Sequence, residues 1–84
     1  MQLEIITPDA TVYQGEVESA KFPGSNGSFQ VLKDHAPLIS SLAKGELSYK
    51  DADGEHNIIV DGGTVEVLNN QIIVLAESVI EEGQ

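Results

Sequence analysis

Three short clusters in this chain hold residue types capable of chemistry. Asp51-Ala52-Asp53-Gly54-Glu55 places acids at alternate positions, as a calcium loop does, and His56 follows directly. Such a loop also needs a glycine at its sixth position for the sharp turn and a bidentate glutamate at its twelfth. Counted from Asp51, those positions hold His56 and Gly62, so the segment reads as a hairpin turn. Ser25, Asp34 and His35 supply the residue types of a hydrolytic triad, but no G-x-S-x-G elbow presents the serine and no helix follows to form an oxyanion hole. Gly24-x-x-Gly27 lacks the further glycines and the Lys-Ser/Thr of a phosphate loop and reads as a tight turn. His35 and His56 are the only histidines, and neither has a second imidazole or a thiol at ligand spacing, which argues against zinc. No catalytic, cofactor-binding or metal-ligating residue is expected.

Composition narrows the classes further. A chain of 84 residues forms one domain that buries roughly 60 to 65% of its unfolded surface, leaving little room for both a core and a deep substrate cavity. With no cysteine, the fold must be held by packing or by a partner rather than by disulfides. Fourteen acids against four lysines give a net charge of −10, and Lys21, Lys33, Lys44 and Lys50 are scattered singly. Nucleic acid, whose phosphates require clustered cations, is excluded as a partner. An anionic bilayer would repel the chain, so membrane contact is expected only through a complex. The longest apolar run, Ile72-Ile73-Val74-Leu75-Ala76, is five residues, against the roughly 20 of a spanning helix. The opening Met1-Gln2-Leu3-Glu4 has an acid at its fourth position and does not read as a signal peptide.

The elements that position these clusters read as short strands separated by turns, the pattern of an all-β sandwich, single and antiparallel, like a flattened barrel. The expected strands are Leu3 to Thr7; Thr11 to Phe22, as one long strand or a strand pair interrupted at Gly15, where a bulge is expected; Phe29 to Leu32 after a turn at Gly24 to Gly27; and Glu46 to Lys50. Asp51 to Gly54 turns the chain into Glu55 to Val60, Asp61-Gly62-Gly63 turns it into Thr64 to Leu68, and Asn69-Asn70 turns it into Ile72 to Ala76. Pro37 to Ala43 is expected to be at most a short turn, and residues 81–84 a disordered tail after a domain spanning 1–80. The strand Ile72 to Ala76 is apolar on both faces. It is either central between two layers or keeps one face for a partner, in which case Ile58, Ile73 or Leu75 would belong to an exposed apolar patch.

In order and spacing these pieces resemble the N-terminal β-sandwich domain of the epsilon-subunit family of F-type ATP synthases, over essentially the whole chain. The likeness rests on Leu3-Glu4-Ile5-Ile6-Thr7-Pro8-Asp9, Val12-Tyr13-Gln14-Gly15-Glu16-Val17, the loop Pro23-Gly24-Ser25-Asn26-Gly27-Ser28-Phe29, and the corner His35-Ala36-Pro37-Leu38. Lys44-Gly45-Glu46-Leu47, Gly62-Gly63-Thr64-Val65-Glu66-Val67 and Ile72-Ile73-Val74-Leu75-Ala76 follow in the family's order. The resemblance implies a non-catalytic rotor subunit of the central stalk, without cofactor, that docks gamma onto the c-ring and couples proton flow to ATP synthesis. It further implies a peripheral location on the cytoplasmic face of the bacterial inner membrane and a monomer when isolated. By the same resemblance, Gly24, Ser25, Asn26, Gly27 and Ser28 would contact the c-ring, and Phe29, His35, Ala36, Pro37 and Leu38 would contact gamma. The chain departs from the pattern at Ser28, often acidic in the family, at Lys33-Asp34, where Pro-Gly is usual, and at Thr64, where an aromatic is often found. The family usually continues into a C-terminal helical hairpin that can inhibit hydrolysis and in some members binds ATP; a chain ending at Gln84 is expected to do neither. The alternatives from other classes are a biotinyl- or lipoyl-type carrier, with Lys50 as the modified lysine, and a generic binding sandwich; Lys50 lacks the flanking residues of a carrier motif.

Overall fold

A computed structural model describes residues 1–80, which form eight strands and no helix. The strands are β1 (Gln2–Ile6), β2 (Thr11–Glu16), β3 (Ser19–Gly24), β4 (Gly27–Leu32), β5 (Leu38–Asp51), β6 (Gly54–Leu68), β7 (Gln71–Ala76) and β8 (Val79–Ile80). They form one continuous sheet in the order β2-β1-β7-β6-β5-β3-β4, with β8 on β6. The long pair β5–β6 folds this sheet into two layers. Its Leu38–Leu42 and Gly63–Val67 halves pair with each other, and β6 passes on to β7, β1 and β2. Its Lys44–Asp51 and Gly54–Asp61 halves pair in the second layer, where β5 meets β3, β3 meets β4, and β6 meets β8. All pairs are antiparallel except β1–β7, which run parallel.

Alternation fills the space between the layers. Leu3, Ile5, Val65, Val67, Ile72, Val74 and Ala76 point inward from one layer, and Ala20, Phe22, Val31, Leu47, Tyr49 and Val60 from the other, all buried. No polar or charged side chain is buried among the described residues. Each large aliphatic or aromatic side chain withdrawn from water contributes about 1.5–3 kcal/mol, which is how so small a domain holds together without a crosslink.

The bend between layers is made by glycine. Gly62 and Gly63 have φ of 83° and 130°, and a Cβ on Gly63 would lie 2.2 Å from the Leu75 carbonyl oxygen. Asp61-Gly62-Gly63 is therefore a kink inside one 15-residue strand, not the turn between two strands that glycine spacing predicted. On β5 the matching bend has Gly45 against Pro23, whose Cβ lies 2.9 Å from where a Gly45 side chain would start. Two further expectations are corrected. Pro37 to Ala43 is not a turn, because Leu38–Leu42 is drawn into the ladder by β6 despite a weak pattern of its own. The bulge falls not at Gly15 but at Val12, where Ile5 opposes Tyr13 and Ile6 opposes Thr11. Gly15 instead leaves room for the Tyr13 ring, whose hydroxyl lies 2.8 Å from a hypothetical Gly15 Cβ.

One polar cluster ties edge strand β2 to the far end of the β5–β6 hairpin. The Tyr13 hydroxyl donates to Asp51 Oδ2 at 3.1 Å, the Asp53 N–H donates to Asp51 Oδ1 at 2.9 Å, and His56 Nε2 lies 3.0 Å from the same oxygen. Tyr49 stacks between its neighbours, with ring centroids 4.4 Å from Tyr13 and 5.1 Å from His56. Desolvation acts to raise the Asp51 pKa, but the donors from His56, Asp53 and Tyr13 together outweigh it and hold the carboxyl below its ordinary value.

Gly63→Val should therefore cost about 3 kcal/mol or more, since it adds both a backbone clash and positive φ to a β-branched residue. Gly62→Ala, which meets only the end of the Glu77 side chain at 3.4 Å, should cost about 1–2 kcal/mol. Urea unfolding of both variants measures the difference. Because the folded pKa of Asp51 is depressed, its contribution is complete above the unfolded value of about 4 and is lost as pH falls through the folded one. Thermal unfolding should show Asp51→Asn destabilised at neutral pH and converging on the wild type in strong acid.

Candidate docking interface

The β3–β4 hairpin presents the first predicted segment. Ser25 and Asn26 form its tip, and Gly24 pairs with Gly27. Gly27 takes φ of 125°, and a Cβ on Gly24 would lie 2.6 Å from the Gly27 carbonyl oxygen, so both positions require glycine. The Ser25 N–H donates to the Ser41 carbonyl at 3.0 Å and the Ser41 hydroxyl to Ser25 Oγ at 2.9 Å, which lashes the tip to β5. Gly24 is buried, whereas Ser25, Asn26, Gly27 and Ser28 are exposed.

The corner from Leu32 to Leu38 holds the second. His35 N–H donates to the Leu32 carbonyl at 3.1 Å, closing a turn whose third residue, Asp34, takes φ of 65°. Aspartate is among the few residues besides glycine that tolerate this region, so Lys33-Asp34 completes a turn of the kind that a glycine usually provides. Asp34 is fastened from outside: its N–H donates to Asn70 Oδ1 at 2.7 Å, and Asn70 Nδ2 donates to Asp34 Oδ1 at 3.0 Å. Asn70 is itself held by the β6–β7 turn, where Asn69 and Asn70 have φ of 53° and 61°, as that dipeptide predicted. Ala36 and Pro37 are exposed and His35 is half-buried, with Nδ1 2.7 Å from the Ala36 carbonyl.

The other two predicted residues face inward. Phe29 is half-buried with its ring centroid 5.5 Å from that of Phe22, and Leu38 packs partly against the core. The corner and the hairpin tip are joined by Leu38–Leu42, a span of roughly 13 Å at the rise of a strand.

A surface that sequence reasoning largely missed lies on the outside of the first layer. There Ile39 is 76% exposed, Leu75 53%, Leu68 48% and Ile73 37%. The register makes one row, Gln14, Glu4, Ile73, Glu66 and Ile39, so acids alternate with apolar side chains across the layer. Strand β7 is thus central within its layer and still shows Ile73 and Leu75 to solvent, while Ile58 packs partly against the core. Its double-faced pattern signalled the patch. Ile39 gave no signal because its segment lacks clean alternation. Lys50, the carrier candidate, is exposed near Glu18 at 4.0 Å and precedes the hairpin tip instead of occupying it.

The chain is 44% identical over 81 residues to the ATP synthase epsilon chain of Campylobacter jejuni, covering 95% of this chain and 63% of that one. It is 45% identical over 78 residues to the ATP synthase epsilon chain of Nitratidesulfovibrio vulgaris, covering 93% and 58%. The chain thus spans less than two thirds of the length of these curated relatives. A chain in the Euglena gracilis mitochondrial ATP synthase superposes with a TM-score of 0.86 at 20% identity, over 94% of this chain and 51% of that one. A chain of the Tetrahymena thermophila mitochondrial ATP synthase central stalk and c-ring gives 0.81 at 13% identity, over 95% and 65%. Both likenesses establish the fold. A sequence model of the ATP synthase delta/epsilon chain β-sandwich domain matches residues 1–82, and the chain belongs to that family.

Proposed function

We propose that this chain is a non-catalytic subunit of the ATP synthase central stalk, a rigid spacer that docks gamma onto the c-ring so that proton-driven rotation is coupled to ATP synthesis. The observation that carries the reading is the exposed apolar face of the first layer, Ile39, Leu68, Ile73 and Leu75, adjoining the corner Ala36-Pro37. An apolar patch rimmed by acids suits a protein partner with an apolar centre and basic rim. In this reading gamma covers the corner from His35 to Leu38, with Phe29 beneath it, and extends onto Ile39 and Ile73. The c-ring loops meet the exposed hairpin tip, Gly24 to Ser28. Torque transmission needs stiffness rather than a reactive group, and the two-layer core, the Asp34–Asn70 fastening and the Ser25–Ser41 lashing supply it.

The same reading places the chain at the membrane surface only through the complex, on the cytoplasmic face of a bacterial inner membrane. The names of the relatives, ATP synthase epsilon chains of bacteria, support it.

Reconstitution with gamma and the c-ring tests the proposal. Ile39→Glu and His35→Glu alter side chains outside the core, so the fold should persist while affinity for gamma falls at least tenfold. Asn26→Trp at the hairpin tip should instead reduce retention on the c-ring and leave gamma binding unchanged. Undiminished binding by all three variants, measured by co-purification and calorimetry, would place the interface elsewhere.

A further inference from the structure

We infer that β4 is an open docking edge that accepts one extended, uncharged strand from a basic protein partner, lengthening the second layer by strand addition. Strand β4 ends the sheet order, and among the described residues no strand lies beyond it. Exposed edges in natural sheets are guarded by charge, proline, a bulge or brevity, because bare backbone groups recruit other strands. The other ends of this sheet follow that rule: β2 carries the bulge at Val12 and the acid Glu16, and β8 is two residues long. Strand β4, Gly-Ser-Phe-Gln-Val-Leu, has no charge and no proline, and its register with β3 runs unbroken from Gly27 to Leu32. In a chain with 21% charged residues β4 is, among the described residues, the one whole strand left as an unguarded edge.

The backbone defines the slot. Gly24 and Gly27 flank a two-residue tip and form a bonded pair, so the alternation of an antiparallel ladder turns the N–H and C=O of Ser28 and Gln30 away from β3. The Leu32 carbonyl is taken by His35 N–H at 3.1 Å, which closes the slot at that end. On the inner face the half-buried Phe29 would be covered by an apolar residue of the added strand; on the outer face Leu32, 53% exposed, offers a second contact.

Charge selects the partner. A second copy would bring two surfaces of net charge −10 together, and pairing strands this short falls well below the ~1,200 Å² that a stable interface buries. A basic subunit is attracted instead. Lys21, opposite Gln30, and Lys33, just past the strand, would repel cations placed directly alongside, so the added strand itself is uncharged. This inference rests on the stalk reading, under which gamma contributes the strand.

Amide hydrogen exchange on the unmodified chain, free and bound to gamma in the absence of the c-ring, tests it directly. The Ser28 and Gln30 amides should exchange rapidly in the free chain and at least a hundredfold more slowly in the assembly with gamma. Gln30→Pro, which removes one outward N–H, should weaken assembly at least tenfold while circular dichroism shows the β fold retained; if it fails to fold, the exchange result stands alone. Assembly with both amides as labile as in the free chain overturns this inference and leaves the stalk reading intact. Failure of the wild-type chain to assemble overturns both, and protection of these amides in a homodimer without gamma overturns the choice of partner.

Discussion

The passage of one hairpin through both layers is the constraint on which the rest of this structure depends. Strands β5 and β6 belong to each layer in turn, so every other strand finds its place by pairing with one half or the other. That arrangement requires β6 to bend where Gly63 lies against β7, and no residue with a Cβ fits there. A continuous ladder also resists shear between layers better than two sheets held by side chains alone, because sliding would break backbone hydrogen bonds as well as apolar contacts. For a domain that buries so little surface, this covalent and hydrogen-bonded continuity compensates for a small core.

The polar contacts reinforce the same frame at its ends. Asp51 gathers Tyr13, Asp53 and His56 where the hairpin tip meets edge strand β2, and the Asp34–Asn70 pair joins the corner to the β6–β7 turn. Each links segments distant in sequence through short, local geometry. Asp51 accepts its bonds through the carboxylate, whereas Asp34 accepts one at Oδ1 and donates one from its N–H, so both acids serve to hold an irregular backbone.

The exposed apolar face and the unguarded edge occupy different layers of the sandwich. The first offers side chains rimmed by Glu4 and Glu66, and the second offers backbone flanked by Lys21 and Lys33. A partner attached at both would be held against rotation about either one.

The all-β class, the hairpin turns at Ser25-Asn26, Ala52-Asp53 and Asn69-Asn70, and the family are legible in the order of residues, because turn chemistry and strand alternation are local properties written in adjacent positions. The same order also marked β7 as double-faced. That Gly62-Gly63 bends a strand instead of ending it follows from packing, since a positive φ serves either purpose and the choice depends on β7 lying alongside. Only the fold, likewise, made Leu38–Leu42 a strand and turned Ile39 outward while Phe29 and Leu38 turned in, because a weak local pattern takes the conformation that its cross-strand neighbours impose.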